Sequence, residues 1–286
     1  MRFFHSLLRP EENAGRAMRC VHRLWVFLWL TAFGLGIGLL SLYLTANSYA
    51  SIDAQALWES YFKLPLLVVM DLLLPLLVVY LGFFLFARPW AAYLLSAVPF
   101  LGLALASYYK IQLRGDPVLA SDLRLIRTAG GIMGNYTFEL TEPVKLVIAG
   151  FVGMLIFSVV LLRRERMSQR GRLVGLMAML TLTLASYFEL YTSADIYEKT
   201  ANNSLINPWS EVEIYLSRGT TYPFLYSVQD MFPNAPSGYR ESEATGTLAE
   251  YEDTDIPEEE KITVVGIMLE AFSDLTDFPV LDEIPA

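Results

Sequence analysis

Two acidic residues occupy positions at which a carboxylate needs a specific partner. Asp71 lies inside the apolar segment 64–86, and Glu270 directly follows the apolar run 262–269, which is rich in β-branched residues. A charged side chain near the bilayer centre costs about 2.5–3.5 kcal/mol on insertion scales, so Asp71 should face protein or water. A carboxylate at the carboxyl end of a buried parallel strand lies where α/β sheets bind ligands, and it can hold a divalent cation.

Each carboxylate also has a structural interpretation. Asp71 can be a lipid-headgroup or proton site, or it can bond a neighbouring helix near the turns that Pro65 and Pro75 loosen. Loss of activity in Asp71→Asn would indicate the first role, and lower expression alone would indicate the second. On the pattern alone, Glu270 can also be a solvated acid at the start of a helix, because one carboxylate is not a metal site.

Histidine and cysteine chemistry is confined to the N-terminal region. His5 and His22 are the only histidines, and Cys20 is the only cysteine. A single cysteine excludes an intramolecular disulfide framework and an all-cysteine zinc site. Any metal or acid–base chemistry near the C-terminus must therefore proceed without histidine from this chain.

The composition is that of a membrane protein. Of the 286 residues, 54% are hydrophobic and only 18% are charged, and the mean hydropathy is +0.41. A helix needs about 20 mostly apolar residues to cross the bilayer. Five segments meet this requirement: 24–44, 64–86, 90–108, 144–162 and 173–191. The predicted fold is an all-α polytopic bundle of five transmembrane helices in residues 1–191.

The arginines predict the orientation of this bundle. They concentrate in the N-terminal segment, at Arg88 between the second and third spans, and in residues 163–172 between the fourth and fifth spans. Positive charge favours the cytoplasmic side, so the N-terminus is predicted inside and the C-terminal region outside. A signal-peptide interpretation of the first span would use Ala54-Gln55-Ala56 for cleavage, but the apolar stretch exceeds the usual 7–15 residues of a signal core.

The outer connection between the third and fourth spans contains arginines that could contact lipid. The apolar residues in 119–133 recur at helical spacing, which predicts a helix in the membrane interface or over the bundle. Arg124 and Arg127 lie off this apolar stripe, and Arg114 precedes it. These three arginines could bind phosphate headgroups or could form an ordinary solvated face.

The region after the last span divides into two parts. Residues 192–261 are predicted to be an extracytoplasmic connecting segment that ends in an acidic linker. Within it, residues 210–216 suggest a short helix along the membrane surface. Residues 262–286 are predicted to be the first strand and loop of an α/β domain.

Three stretches of the chain carry a family resemblance. The strongest is 262–275, above all Met268-Leu269-Glu270-Ala271-Phe272-Ser273-Asp274-Leu275. The second runs from Tyr109-Lys110 through Arg114-Gly115-Asp116-Pro117 to Ser121-Asp122-Leu123. The third runs from Asn207-Pro208-Trp209-Ser210 through Gly219 to Phe224-Leu225-Tyr226. In this order, after five spans, they resemble the lipoteichoic acid synthase group of the alkaline-phosphatase/sulfatase superfamily.

This resemblance implies a bacterial cell-membrane enzyme with an extracellular sulfatase-like domain. Such an enzyme takes glycerol phosphate from a phosphatidylglycerol-like donor and passes it to a growing polymer, with no nucleic-acid partner. The family uses a threonine nucleophile and a divalent metal ion, which is usually Mn²⁺ and otherwise Mg²⁺. By position Glu270 matches a metal ligand of the family.

The resemblance also implies that most of the catalytic site is not in this sequence. The family's nucleophile and its Asp-His metal ligands lie well beyond the acid, and Thr276 is too close to Glu270 to be that nucleophile. We therefore expect the N-terminal part of a longer enzyme, or a truncated product, that is inactive as given. The alternatives are a phosphoethanolamine transferase or hydrolase of the same superfamily, and a non-catalytic membrane protein whose outer acidic tail binds a partner.

Overall fold

A computed structural model of the chain describes residues 16–125, 137–162, 167–202, 207, 209–231, 238–249, 262 and 266. Within this part of the chain the regular elements are helices, and none is a strand. Two compact units are present, Met1–Pro233 and Asn234–Ala286. The second contains one described helix, Glu241–Ala249.

The first unit contains nine described α-helices. In chain order they are α1 (Arg16–Ala46), α2 (Ala54–Lys63), α3 (Pro65–Phe86), α4 (Pro89–Arg114), α5 (Glu142–Leu161), α6 (Gln169–Ser186), α7 (Ala194–Lys199), α8 (Glu211–Ser217) and α9 (Thr221–Tyr226). Two 3₁₀ helices, Ala120–Leu125 and Ser227–Met231, and a π-helical turn, Tyr187–Tyr191, complete it.

Five of these helices, α1, α3, α4, α5 and α6, are long and apolar enough to cross a membrane, which confirms the predicted five-helix bundle. The helices extend past some of the predicted spans, because a helix need not end where an apolar segment ends. Polar residues such as Lys110 and Gln112 continue α4 to Arg114. Gly115, with φ of 76°, then ends the helix in the left-handed conformation that glycine adopts readily.

The centre of the bundle is formed by α1, α3 and α4. Val26, Leu30, Phe33 and Ile37 on α1 are almost fully buried. Gly34 lets α1 approach α3 closely, since a Cβ atom there would lie 2.6 Å from the Cα of Leu76. Small residues at such positions allow helix backbones to pack in membranes. Helices α5 and α6 lie at the periphery and leave most of their apolar side chains exposed.

The bundle has two different ends. The first contains the beginning of α1, the corner between α3 and α4, and the beginning of α6, with Arg23, Arg88 and Arg172; we call it the arginine-rich end. At the opposite end lie α2, α7, α8, α9 and the two 3₁₀ helices. We call these elements the cap subdomain.

The cap subdomain includes helices α7, α8 and α9, which lie in the connecting segment predicted for residues 192–261. The short helix predicted at 210–216 is confirmed as α8, and its C-terminal part packs inward, with Leu216 fully buried and Tyr215 5% exposed. The described part of the predicted interfacial helix is a 3₁₀ helix that begins at Ala120, because Asp122 accepts a hydrogen bond from the Leu119 amide (2.8 Å) and caps that turn. The remainder of that stripe, and the predicted strand apart from Ile262 and Gly266, lie outside the described residues.

Candidate functional site

Asp71 joins α3 to the cap subdomain. Its side chain is fully buried, and Oδ1 accepts hydrogen bonds from the backbone amides of Thr221 (3.0 Å) and Tyr222 (3.3 Å). These amides begin α9, where the positive end of the helix dipole favours a carboxylate. The seventh residue of a helix lies about 9 Å from its start at 1.5 Å per residue. The chain around Thr221 therefore packs beside α3 about two turns after its first residue, and not at the end of that helix.

Gly219 makes this contact possible. Its φ of 87° lies in the region that L-residues avoid. A Cβ atom at this position would also overlap both carboxylate oxygens of Asp71. Glycine is required here for two independent reasons, the backbone conformation and the space that the carboxylate occupies.

Tyr191 opens the turn of α3 that carries Asp71. Its hydroxyl donates to the carbonyl of Met70 (2.6 Å) and accepts from the amide of Leu74 (3.1 Å). In a regular helix these two groups would bond to each other, so the phenol is inserted into the hydrogen-bond ladder. Pro75 follows directly and has no amide hydrogen, and its carbonyl accepts from Ser96 Oγ (2.8 Å).

Three further hydrogen bonds fix the cap subdomain: the first joins it to α1 of the bundle, and the other two connect α2 with the chain at Leu216 and Asn202. Thr45 and Thr220 share a hydroxyl–hydroxyl bond of 2.5 Å, and the Tyr61 hydroxyl donates to the carbonyl of Leu216 (2.7 Å). The Asn202 amide donates to Ser60 Oγ (2.5 Å). Burial raises the pKa of Tyr61 well above its usual value, and the negative charge of Asp71 adds to the shift. Tyr61 therefore stays protonated and able to donate.

The segment around Lys110 packs against the C-terminal part of the cap subdomain. Lys110 Nζ bonds the carbonyl of Pro117 and Asp122 Oδ2, both at 2.8 Å, which folds the chain back after α4. The Tyr215 hydroxyl donates to the carbonyl of Val118 (2.9 Å), and the Ala120 amide donates to Ser227 Oγ (3.0 Å). The second and third stretches that carry the resemblance thus meet at one end of the bundle.

The predicted headgroup arginines lie near this contact. Arg114 is exposed, and its guanidinium forms no hydrogen bond or ion pair with the described residues. Arg124 is exposed and donates to the carbonyl of Met231, which leaves other guanidinium donors available. Arg127 lies outside the described residues.

Sequence reasoning did not identify Arg218, which is the most buried arginine of the described chain at 7% exposure. It donates to the carbonyls of Tyr197 (3.1 Å) and Ile214 (3.2 Å), and its guanidinium carbon lies 4.3 Å from the centre of the Tyr197 ring. That ring stacks on Tyr226 at 3.9 Å. The sequence feature that could have identified Arg218 is its position directly before Gly219 in a segment rich in tyrosine.

The site around Asp71 is closed in this structure. Oδ2 of Asp71 and the Thr221 hydroxyl are buried and have no hydrogen-bond partner among the described residues. Oδ2 can carry a proton or accept a bond from water, so the proton-site hypothesis stays a prediction. A lipid headgroup could reach the carboxylate only if Gly219–Tyr222 moved away.

The structure supplies no geometry for a metal site. Glu270 lies outside the described residues, and in the described ranges no three His, Cys, Asp or Glu side chains are placed to hold a metal ion. The described residues therefore do not form the ligand set that the resemblance implies.

Comparisons of the chain with protein-family models, with curated proteins and with solved structures gave no match.

Proposed function

We propose that this chain is the membrane part of a lipoteichoic-acid-synthase-like enzyme that moves glycerol phosphate from phosphatidylglycerol to an extracellular polymer. In this proposal the protein lies in a bacterial cell membrane with its N-terminus in the cytoplasm. The cap subdomain then faces the outer leaflet, because the arginine-rich end is predicted inside.

One observation carries the proposal: the contact between two of the three stretches that resemble the family. These stretches, 109–123 and 207–226, are far apart in sequence, yet they meet through the bond of Tyr215 to Val118, and the bond of Ala120 to Ser227 lies directly after the second of them. Asp71 and Gly219 fix this assembly on the bundle. A rigid assembly at the lipid surface is suited to hold a headgroup for an enzyme domain that follows it in the chain.

The residues of the cap subdomain have distinct roles in the proposal. Arg114 and Arg124 are exposed and bind the phosphate of the donor lipid from the outer leaflet. Asp71 positions the cap subdomain and does not contact substrate. Glu270 is a ligand of the divalent metal, which would lower the nucleophile's pKa and stabilise the phosphoryl oxygens when bound.

Diacylglycerol release tests the proposal. The product of the complete reading frame that encodes this chain is purified and incorporated into vesicles of phosphatidylglycerol and phosphatidylcholine with Mn²⁺. We expect release of diacylglycerol from phosphatidylglycerol, and loss of that release in Glu270→Gln, which keeps the shape of the side chain and removes its charge. Arg114→Gln with Arg124→Gln should raise KM more than it lowers kcat.

Controls separate this function from its alternatives. Lys145→Gln on α5 removes an exposed positive charge near the same end of the bundle and should leave KM unchanged. Release from phosphatidylethanolamine but not from phosphatidylglycerol would instead favour a phosphoethanolamine transferase. No release from either lipid would favour a non-catalytic membrane protein, and full activity of Glu270→Gln would refute the role of Glu270.

A further inference from the structure

A groove of about 750 Å³ opens at the arginine-rich end, between the α3–α4 corner and the beginning of α6. This volume is within the range of about 300–1,000 Å³ that ligand sites occupy. Its polar lining consists of Arg88 and Arg172, and its other walls are apolar and include Trp90, Leu94, Leu95 and Val98. The cap subdomain lies at the other end of the bundle and contributes no residue to it.

The two arginines differ in how firmly they are held. Arg172 donates through Nε to the carbonyl of Phe84 (3.3 Å) and through a terminal nitrogen to that of Leu85, so the end of α3 fixes its guanidinium. Arg88 precedes α4 and is exposed, and its guanidinium forms no hydrogen bond or ion pair with any described residue. Together they leave several N–H donors on two positive charges at the mouth of an apolar groove.

The apolar wall follows α4 into the bilayer. Leu94, Leu95 and Val98 lie five to nine residues after the first residue of α4, Pro89, which is about 8–14 Å along the helix axis. Trp90 also lines the groove and is the second residue of α4, and tryptophan near the end of a span is typical of the headgroup level. The groove therefore has a cationic mouth at headgroup level and an apolar wall at acyl-chain level.

We propose that this groove binds one anionic phospholipid of the leaflet at the arginine-rich end. The phosphate lies between Arg88 and Arg172, and one acyl chain lies along Leu94, Leu95 and Val98. Charge complementarity selects the occupant, because a zwitterionic lipid brings its own cationic group to a groove lined by two arginines, whereas an anionic lipid brings negative charge alone. A second copy of the chain would have to bury both arginines, which is costly without paired acids. This inference is independent of the proposed function.

Fluorescence quenching of Trp90 tests the inference locally. The full chain is incorporated into phosphatidylcholine nanodiscs that contain either brominated phosphatidylglycerol or brominated phosphatidylcholine, and the part of the quenching that Trp90→Phe removes is assigned to the groove. We expect half-maximal quenching of Trp90 at about a fivefold lower mole fraction of the brominated phosphatidylglycerol. One basic residue near an anionic lipid surface has an effect of this size.

Variants identify the arginines as the cause. Arg88→Gln should raise the mole fraction of brominated phosphatidylglycerol at half-quenching about fivefold, and Arg172→Lys, which keeps the charge, should change it less. Lys145→Gln at the opposite end is the matched control and should not change it. Equal quenching by both lipids, an unchanged value in Arg88→Gln, or no quenching of Trp90 by either lipid would each overturn the inference.

Discussion

Asp71 is connected to the cap subdomain through backbone amides, so the effect of replacing it depends on which acceptors the new side chain retains. Asp71→Leu leaves the amides of Thr221 and Tyr222 buried without an acceptor, at about 1–3 kcal/mol each. Asp71→Asn keeps one carbonyl oxygen and should lose less stability. We expect the thermal unfolding temperature in detergent to fall in the order wild type, Asp71→Asn, Asp71→Leu.

A matched control for this series is Asp53→Asn. Asp53 is also a carboxylate at a helix N-terminus, but it is exposed and bonds the amides of Gln55 and Ala56 in its own helix, α2. Its replacement should cost no more than about 1 kcal/mol. Equal effects of Asp53→Asn and Asp71→Leu would contradict the role of Asp71 as the attachment point of the cap subdomain.

At the residue scale, sequence identified Asp71 but not its partners. A carboxylate inside an apolar span requires compensation, which any hydropathy argument detects. Its partner Thr221 lies 150 residues away and contributes a backbone amide, which has no side-chain signature. The same holds for Tyr191, whose hydroxyl replaces a backbone bond in another helix. Glu270 stays a prediction, because it lies outside the described residues.

The attachment of helix α9 to the bundle depends on the glycine that precedes it, Gly219. Gly219→Ala adds the cost of a left-handed alanine, about 1–2 kcal/mol, and the overlap with Asp71. Gly115→Ala is the matched control, since Gly115 also has positive φ but open space around its Cα. We expect Gly219→Ala to lower the unfolding temperature clearly more than Gly115→Ala and to expose residues 209–231 to protease.

A double variant separates the two contributions. Asp71→Ala removes the atoms that a Cβ at Gly219 would meet, so the effects of Asp71→Ala and Gly219→Ala should be less than additive. Strict additivity would show that the two residues are not in contact. Limited proteolysis and thermal unfolding of the four proteins supply the measurement.

At the element scale, the sequence predicted the five long helices and, among the short ones, α8. Five segments of sufficient length and apolarity become α1, α3, α4, α5 and α6, because the bilayer requires internally bonded backbone. Helices α7 and α9, which were not predicted, each have six residues, too few to show a clear apolar period. Contacts with the bundle stabilise them, and no local pattern reveals such contacts.

At the scale of the whole molecule, the account depends on which side of the membrane each end occupies. The arginine-rich end and the cap subdomain lie at opposite ends of the bundle, so one orientation assigns both. The proposed transfer reaction needs the cap subdomain outside. The proposal that the groove binds a lipid does not depend on the orientation, because the proposed lipid belongs to whichever leaflet surrounds Arg88 and Arg172.

Cysteine labelling in intact cells tests this orientation most directly. Cys20 is exposed, lies near the arginine-rich end, and is the only cysteine in the sequence. Ser51→Cys in a Cys20→Ser background places a thiol at an exposed position between α1 and α2, next to the cap subdomain. With a membrane-impermeant maleimide, we expect labelling of Ser51→Cys, and labelling of Cys20 only after the cells are opened. Labelling of Cys20 from outside, with protection of Ser51→Cys, would contradict the account.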